Sequence, residues 1–198
     1  MKFTRYFFSF IFIAVLIFST AFVSISKKAN LIKKRFASFK EKECLKTAPK
    51  ENNTFYIIID KSDYQLKIYD STGWYASFPV VFGISGLGDK LQSGDKKTPE
   101  GHFTIIQKKV HPKWSYELLL DYPNGESIEL FEERKNKGLL PKNASIGNGI
   151  AIHATRPKEE WTVDNFYNWT DGCVAVKYSE MKDLYNFIQV GTQVTIQQ

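Results

Sequence analysis

One histidine and one cysteine in the last quarter of the chain have the types and spacing for nucleophilic catalysis. His153 closes the apolar run Ile150-Ala151-Ile152-His153. Sixteen residues then lead to Thr170-Asp171-Gly172-Cys173-Val174-Ala175-Val176, where a cysteine follows a glycine at the start of a β-type run. A thiol attacks as thiolate, and an unassisted cysteine has a pKa of about 8.5, so a nearby base such as His153 is expected to bring it down. The attacked carbonyl also needs backbone donors aimed at its developing charge. Gly172 carries no side chain that would shield such N–H groups. Around this pair, Arg156 and Lys158 follow His153, while Tyr167 and Trp169 precede the cysteine. A guanidinium fork at Arg156 suits a carboxylate ligand, and Trp169 is placed to shape a cleft; loop filler is the plainer account of both. Other accounts of the pair stand beside catalysis. A cysteine is often a small buried hydrophobe, a histidine on an apolar strand is often a core residue, and Cys44 and Cys173 allow one disulfide. Zinc at His153 and Cys173 lacks third and fourth ligands at a recognised spacing. His102 and His111 read as surface or packing residues. No phosphate-binding loop or ligand cluster is present, so no cofactor or metal is expected.

These residues must be positioned by short β segments. Phe55-Tyr56-Ile57-Ile58-Ile59 is a compact β-forming run, and residues 64–69 alternate, with Tyr64, Leu66 and Ile68 on one face. Asp60-Lys61-Ser62-Asp63 between them makes a hairpin turn. Further strands are predicted over 74–82, 101–108, 114–120, 149–153, 173–176 and 192–196, with a glycine-rich loop at 83–94. Helical patterning is weak over 127–137. It is clearer after Ser179, which is placed as N-cap, since Met181, Leu184, Tyr185 and Ile188 share a face. The fold class is mainly β, with a few short helices.

The net charge of +6 belongs to one region. Residues 1–49 hold ten Lys/Arg and two acids, and the remainder holds seventeen basic and nineteen acidic side chains. The globular part has no basic surplus, which argues against nucleic acid as a partner. Lys2 and Arg5 precede eighteen uncharged residues, 6–23. As a helix they would span about 27 Å, close to a bilayer's hydrocarbon core. Residues 1–26 are therefore expected to be a membrane anchor or, with Ser19-Thr20-Ala21 as cleavage site, a signal peptide. Residues 27–54 form a basic polar stalk. Its Lys27, Lys28, Lys33, Lys34 and Arg35 oppose export under the positive-inside rule.

Taken together, the motifs resemble the L,D-transpeptidase catalytic domain of the YkuD type, over residues 55–198. The resemblance rests on His153 followed at this distance by Thr170-Asp171-Gly172-Cys173 and on Gly94-Asp95-Lys96-Lys97-Thr98-Pro99-Glu100-Gly101-His102-Phe103. The opening hairpin over 55–69 agrees. Tyr122-Pro123-Asn124 and Trp169-Thr170-x-Gly172-Cys173 are similar to one branch of that family. Three positions depart from it: Ala154 after the histidine, Asp171 in place of a second histidine, and Ala175 where many members carry Arg or Asn. The resemblance implies a mixed β-sandwich or open barrel with the site on its rim, on the outer side of the cytoplasmic membrane. It implies a peptidoglycan stem peptide as substrate and a thioester at Cys173. His153 would be the base, the Ala154 carbonyl would orient its ring, and N–H groups of Cys173, Gly172 and Asp171 would hold the oxyanion. Arg156, Trp169, Thr170, Asp171 and Tyr122 would line the substrate. The acceptor would be an amine of a second stem peptide or of a wall-attached protein. Hydrolysis by the same pair, as carboxypeptidase or amidase, and a non-catalytic wall-binding module are the alternatives.

Overall fold

Period-two alternation accounts for most of the architecture. In the computed structural model, which describes residues 55–112 and 115–198, eight strands and three helices follow one another. They are β1 (Tyr56–Asp60), β2 (Gln65–Asp70), β3 (Gly73–Val81), β4 (Gly101–His111), β5 (Ser115–Leu120), α1 (Gly125–Asn136), β6 (Ala151–Ala154), α2 (Trp161–Asp164), β7 (Val174–Val176), α3 (Tyr178–Phe187) and β8 (Gln193–Gln197). The candidate anchor, the stalk and Cys44 lie outside the described residues, as does Trp114. Among the described residues no helix is long and apolar enough to cross a membrane.

The ring order is β1-β2-β3-β7-β6-β5-β4-β8, and it closes. The expected open barrel is corrected here. β8 pairs parallel with β1 and antiparallel with β4, so one strand joins both edges that a sandwich would leave apart. The sheet is mixed, as β6–β7 is also parallel. Alternate residues fill the interior: Ile57 and Ile59, Leu66 and Ile68, Phe78 and Val80, Phe103 and Ile105, Leu118 and Leu120, Val174 and Val176, Val194 and Ile196. Each such side chain contributes roughly 1.5–3 kcal/mol when fully buried. Met181 and Leu184 of α3 and Ile188 after it add to the same core.

Ser179 is not the cap of α3. Lys177 is, without a side-chain cap bond, while the Ser179 N–H donates to Glu160 Oε1 at 2.6 Å. The turn at 60–63 contains a further surprise. Lys61 is fully buried, with Nζ 2.6 Å from Glu100 Oε1 and donating to the Thr98 carbonyl at 3.3 Å. A buried ammonium requires such partners. It ties the first hairpin to the segment at 98–100.

Candidate active site

β6 and β7 run side by side and carry the two residues of interest. Their pairing sets Ile152 beside Val174 and His153 beside Ala175. Val174 and Val176 point into the core, whereas Ala175 belongs to a small outer cluster with Val81 and Val163. Carried back by two, the alternation puts Cys173 on that outer face with His153, diagonally across neighbouring strands. Such diagonal neighbours lie about 7–8 Å apart, within reach of long side chains.

His153 is 4 % exposed. Its Nδ1 lies 2.9 Å from the Ala154 carbonyl. A carbonyl only accepts, so Nδ1 carries a proton. Trp169 meets the ring edge-on, with centroids 5.8 Å apart.

The cysteine turn is built by Thr170 and Gly172. Thr170 is buried; its hydroxyl donates to the Cys173 carbonyl at 2.7 Å and accepts from the Gly172 N–H at 3.2 Å. That N–H is therefore directed at Thr170 and not into the cleft. Gly172 has φ +133°, and a Cβ there would stand 2.8 Å from the Lys97 carbonyl oxygen. The close approach explains what the upstream segment does. Asp95 accepts from the N–H groups of Leu91, Gln92 and Lys97 and from Lys90 Nζ at 2.7 Å. Burial raises the Asp95 pKa, but these donors outweigh it and hold the carboxyl below its usual range. Thr98 Oγ1 accepts from the Gly83 N–H at 3.0 Å. The loop predicted as glycine-rich is thus cross-linked and braces the nucleophile turn.

Cys173 carries a free, half-buried thiol. Its Sγ donates to the Gly149 carbonyl at 3.6 Å. Burial pushes its pKa up to about 11; the Ala151 N–H and Lys90 oppose this, while the Glu117 and Asp171 carboxylates add to it. The expectation of a depressed thiol pKa is therefore corrected. The resting group is a neutral thiol, because lost solvation exceeds what the nearby donors return.

Cys173 opens on a cleft of about 920 Å³ whose lining includes Lys90, Lys96, Pro123, Asn148, Gly149, Ile150 and Asp171. Of the expected substrate residues, only Asp171 lines it. Arg156 is directed to Glu159, 2.8 Å away, and does not line the cleft. Tyr122 is buried, donates to the Ile146 carbonyl at 3.2 Å and does not line the cleft. Asn124 caps α1, accepting from the Ser127 N–H at 3.0 Å. Trp169 and Thr170 support the turn and do not line the cleft. Lys90, Lys96 and Glu117 are among the cleft or neighbouring residues that the sequence reading did not assign to the site. Glu117 of β5 is the register partner of His153, buried, with Oε1 2.8 Å from Lys109 Nζ. A lone carboxylate within Tyr116-Glu117-Leu118-Leu119-Leu120 was the available signal. Among the described residues no group of three or more His, Cys, Asp or Glu could hold a metal ion.

Residues 54–196 match the family described as YkuD, L,D-transpeptidase catalytic domain. The chain belongs to this family. No curated protein matches it in sequence. Among solved structures, Bd1075 of Bdellovibrio bacteriovorus is 22 % identical with a TM-score of 0.52, covering 78 % of this chain and 51 % of its own. The helical cell shape determining protein Pgp2 of Campylobacter jejuni is 18 % identical with a TM-score of 0.52, covering 79 % and 52 %. At these identities the likeness is one of fold, and the chain spans about half the length of each. The family's catalytic-domain fold is what they share with it.

Proposed function

We propose that this YkuD-family chain is a peptidoglycan-modifying cysteine acyltransferase that acts on stem peptides. The observation that carries the reading is a free Cys173 thiol opening on a large cleft, one strand from a histidine whose Nδ1 is held by a backbone carbonyl. Cys173 Sγ attacks the carbonyl carbon before the terminal D-amino acid, and its proton passes to His153 Nε2 as the bond forms. The neutral resting thiol favours this coupled transfer over a preformed thiolate. Glu117, the register partner of His153 on β5, adds a carboxylate to this neighbourhood, already ion-paired with Lys109. The C–N bond then breaks, the His153 proton goes to the departing amine, and a thioester remains. An acceptor amine attacks the thioester, gives its proton to His153, and restores the thiol. A second stem peptide or a wall-attached protein supplies that amine, and water in its place gives a carboxypeptidase or amidase. The backbone N–H groups of Cys173 and Asp171 remain as the oxyanion donors we assign, since Gly172 donates to Thr170. The Trp169-Thr170-x-Gly172-Cys173 branch assignment belongs to the same reading, with Trp169 supporting His153.

The uncharged run at 6–23 fits an anchor or signal segment that delivers residues 55–198 to the wall side of the membrane. Alkaline phosphatase fused at the C-terminus should be active in cells; activity only of a cytoplasmic reporter would reverse the orientation. The chemistry itself is tested by intact mass after incubation with a carbapenem. One covalent adduct is expected on the native chain and none on Cys173→Ala. A native chain that stays unmodified would favour the non-catalytic wall-binding module.

A further inference from the structure

Two lysines line the cleft, and their side chains are held very differently. Lys90 is spent: it is 4 % exposed, with its ammonium on Asp95 Oδ1 at 2.7 Å and on the Gln92 carbonyl at 3.0 Å. Lys96 is 53 % exposed, and its Nζ stands 3.4 Å from Oδ1 of Asp171, itself 87 % exposed. An ion pair this open and this long exchanges readily with other charges. The backbone beneath it is fixed. Lys96 has φ +55°, and its carbonyl accepts the Ser85 N–H at 3.2 Å. That same carbonyl lies against Gly83, where any Cβ would overlap it. A long side chain in the left-handed region is uncommon, and such strain persists only where the surroundings enforce it. The result is a rigid mount with a loosely engaged cation at its tip.

The position of that cation relative to the nucleophile suggests its ligand. Asp171 precedes Cys173 by two residues, so their Cα atoms lie within roughly 7 Å. In a peptide, a terminal carboxylate follows the last peptide carbonyl by about one residue, or ~3.5 Å. A peptide whose last carbonyl meets Cys173 therefore brings its carboxylate toward the Lys96–Asp171 pair. Arg156, the cation that sequence proximity singled out, is on Glu159 and outside the lining.

We infer that Lys96 receives the terminal carboxylate of the bound peptide, and that Asp171 holds the ammonium until that carboxylate displaces it. The inference rests on the acyl-transfer reading above for the placement of the peptide. It makes Lys96 a specificity residue for peptides that end in a free acid. The exchange keeps the ammonium paired, since one carboxylate replaces another on it, while the cleft as a whole gains one negative charge. It also separates Asp171 from its partner, so Asp171 weakens binding by competing for the same ammonium.

Binding and turnover are measured separately so that the two ideas can fail separately. Binding uses Cys173→Ala protein, calorimetry, and two probes: a stem tetrapeptide ending in a free D-amino acid and the same peptide as C-terminal amide. The free acid should bind about tenfold more tightly, the size of a hydrogen bond to a charged partner. Adding Lys96→Gln should abolish that preference, Lys96→Arg should keep it, and Asp171→Asn should increase it. An unchanged preference in Lys96→Gln, or an equal loss for both peptides, overturns the inference. Release of the terminal residue by the native chain tests the reading beneath it. Turnover with a preference indifferent to Lys96 sinks the inference and leaves the enzyme. A Lys96-dependent preference without turnover sinks the enzyme and leaves the carboxylate site.

Discussion

Three glycines separate two costs that usually come together. Gly73 has φ +120° with nothing within 4 Å of where a Cβ would stand, so Gly73→Ala meets backbone strain alone. Gly83 has no positive φ, yet its Cβ would overlap the Lys96 carbonyl, so Gly83→Ala meets overlap alone. Gly172 has both, φ +133° and a Cβ 2.8 Å from the Lys97 carbonyl. Strain of this kind costs about 1–3 kcal/mol. Forcing an added carbon into packed surroundings costs a further ~1–3 kcal/mol. Reduced freedom of the unfolded chain returns about 0.4–1 kcal/mol in each alanine variant. Gly73→Ala should therefore lose about 1–2 kcal/mol and Gly172→Ala about 2–5 kcal/mol. At about 3 °C per kcal/mol for a domain of this size, the melting temperature should fall by about 3–6 °C and about 6–15 °C. Differential scanning calorimetry of the three variants reads this directly. Gly172→Ala should also slow carbapenem acylation, because the turn must shift to clear Lys97. If Gly172→Ala melts within a degree or two of Gly73→Ala, the bracing of the nucleophile turn by residues 97–98 is wrong.

Thiol alkylation against pH should rise through an inflection well above the ordinary ~8.5, because burial and the Glu117 and Asp171 carboxylates all disfavour the thiolate. Asp171→Asn should move it downward, by an amount that shrinks with added salt; a native inflection below about 8.5 would contradict the neutral resting thiol. His153→Ala should reduce carbapenem acylation by about 10²–10⁴-fold while alkylation at high pH stays near native, and a loss under about threefold would remove His153 as base. Lys61→Met should lower stability by about 2–4 kcal/mol, since the Glu100 carboxylate loses its partner. Adding Glu100→Gln should restore part of that, and a native melting temperature for Lys61→Met alone would show the buried pair to be inert.

The strands were legible because side chains alternate between a filled interior and the outside, a pattern that the sequence prints directly. Leu66 and Ile68 point inward as expected, and the predicted strands differ from β1 to β8 by a few residues at their ends. Closure was not legible: β1–β8 pairing joins Tyr56 to Gln193, and no local pattern reports a contact at that separation. The four-residue α2 is too short to show a helical period. Ser179 looked like a cap because of its type, but its N–H is taken by Glu160 from another element. In the candidate site, residue type and spacing singled out Cys173 and His153, while the Ala154 carbonyl, 2.9 Å from the His153 Nδ1, was drawn from the family resemblance. Arg156 was chosen for nearness along the chain, and an i,i+3 partner at Glu159 claims it. Lys96 and Glu117 become site residues only through the folded loop at 90–96 and the β5–β6 register.

The closed ring has a bearing on what kinds of ligand the cleft can take. Many domains hold a peptide by β-augmentation, in which an extended segment adds a strand to an open sheet edge. Each strand here has a partner on both sides. Next to the cysteine turn, where β3 ends at Val81, a parallel bridge between Gly83 and Thr170 continues the pairing begun by Val80 and Val81 with β7. Beside Cys173, where β6 and β7 are flanked by β5 and β3, a guest chain therefore finds no ladder to join and is recognised by its charges, ends and branches against loops. Ladder pairing demands a regular backbone of one handedness, because every hydrogen bond depends on the one before it. Recognition by loops makes no such demand, so the fold itself sets no bar to D-configured residues or side-chain amide links in this cleft.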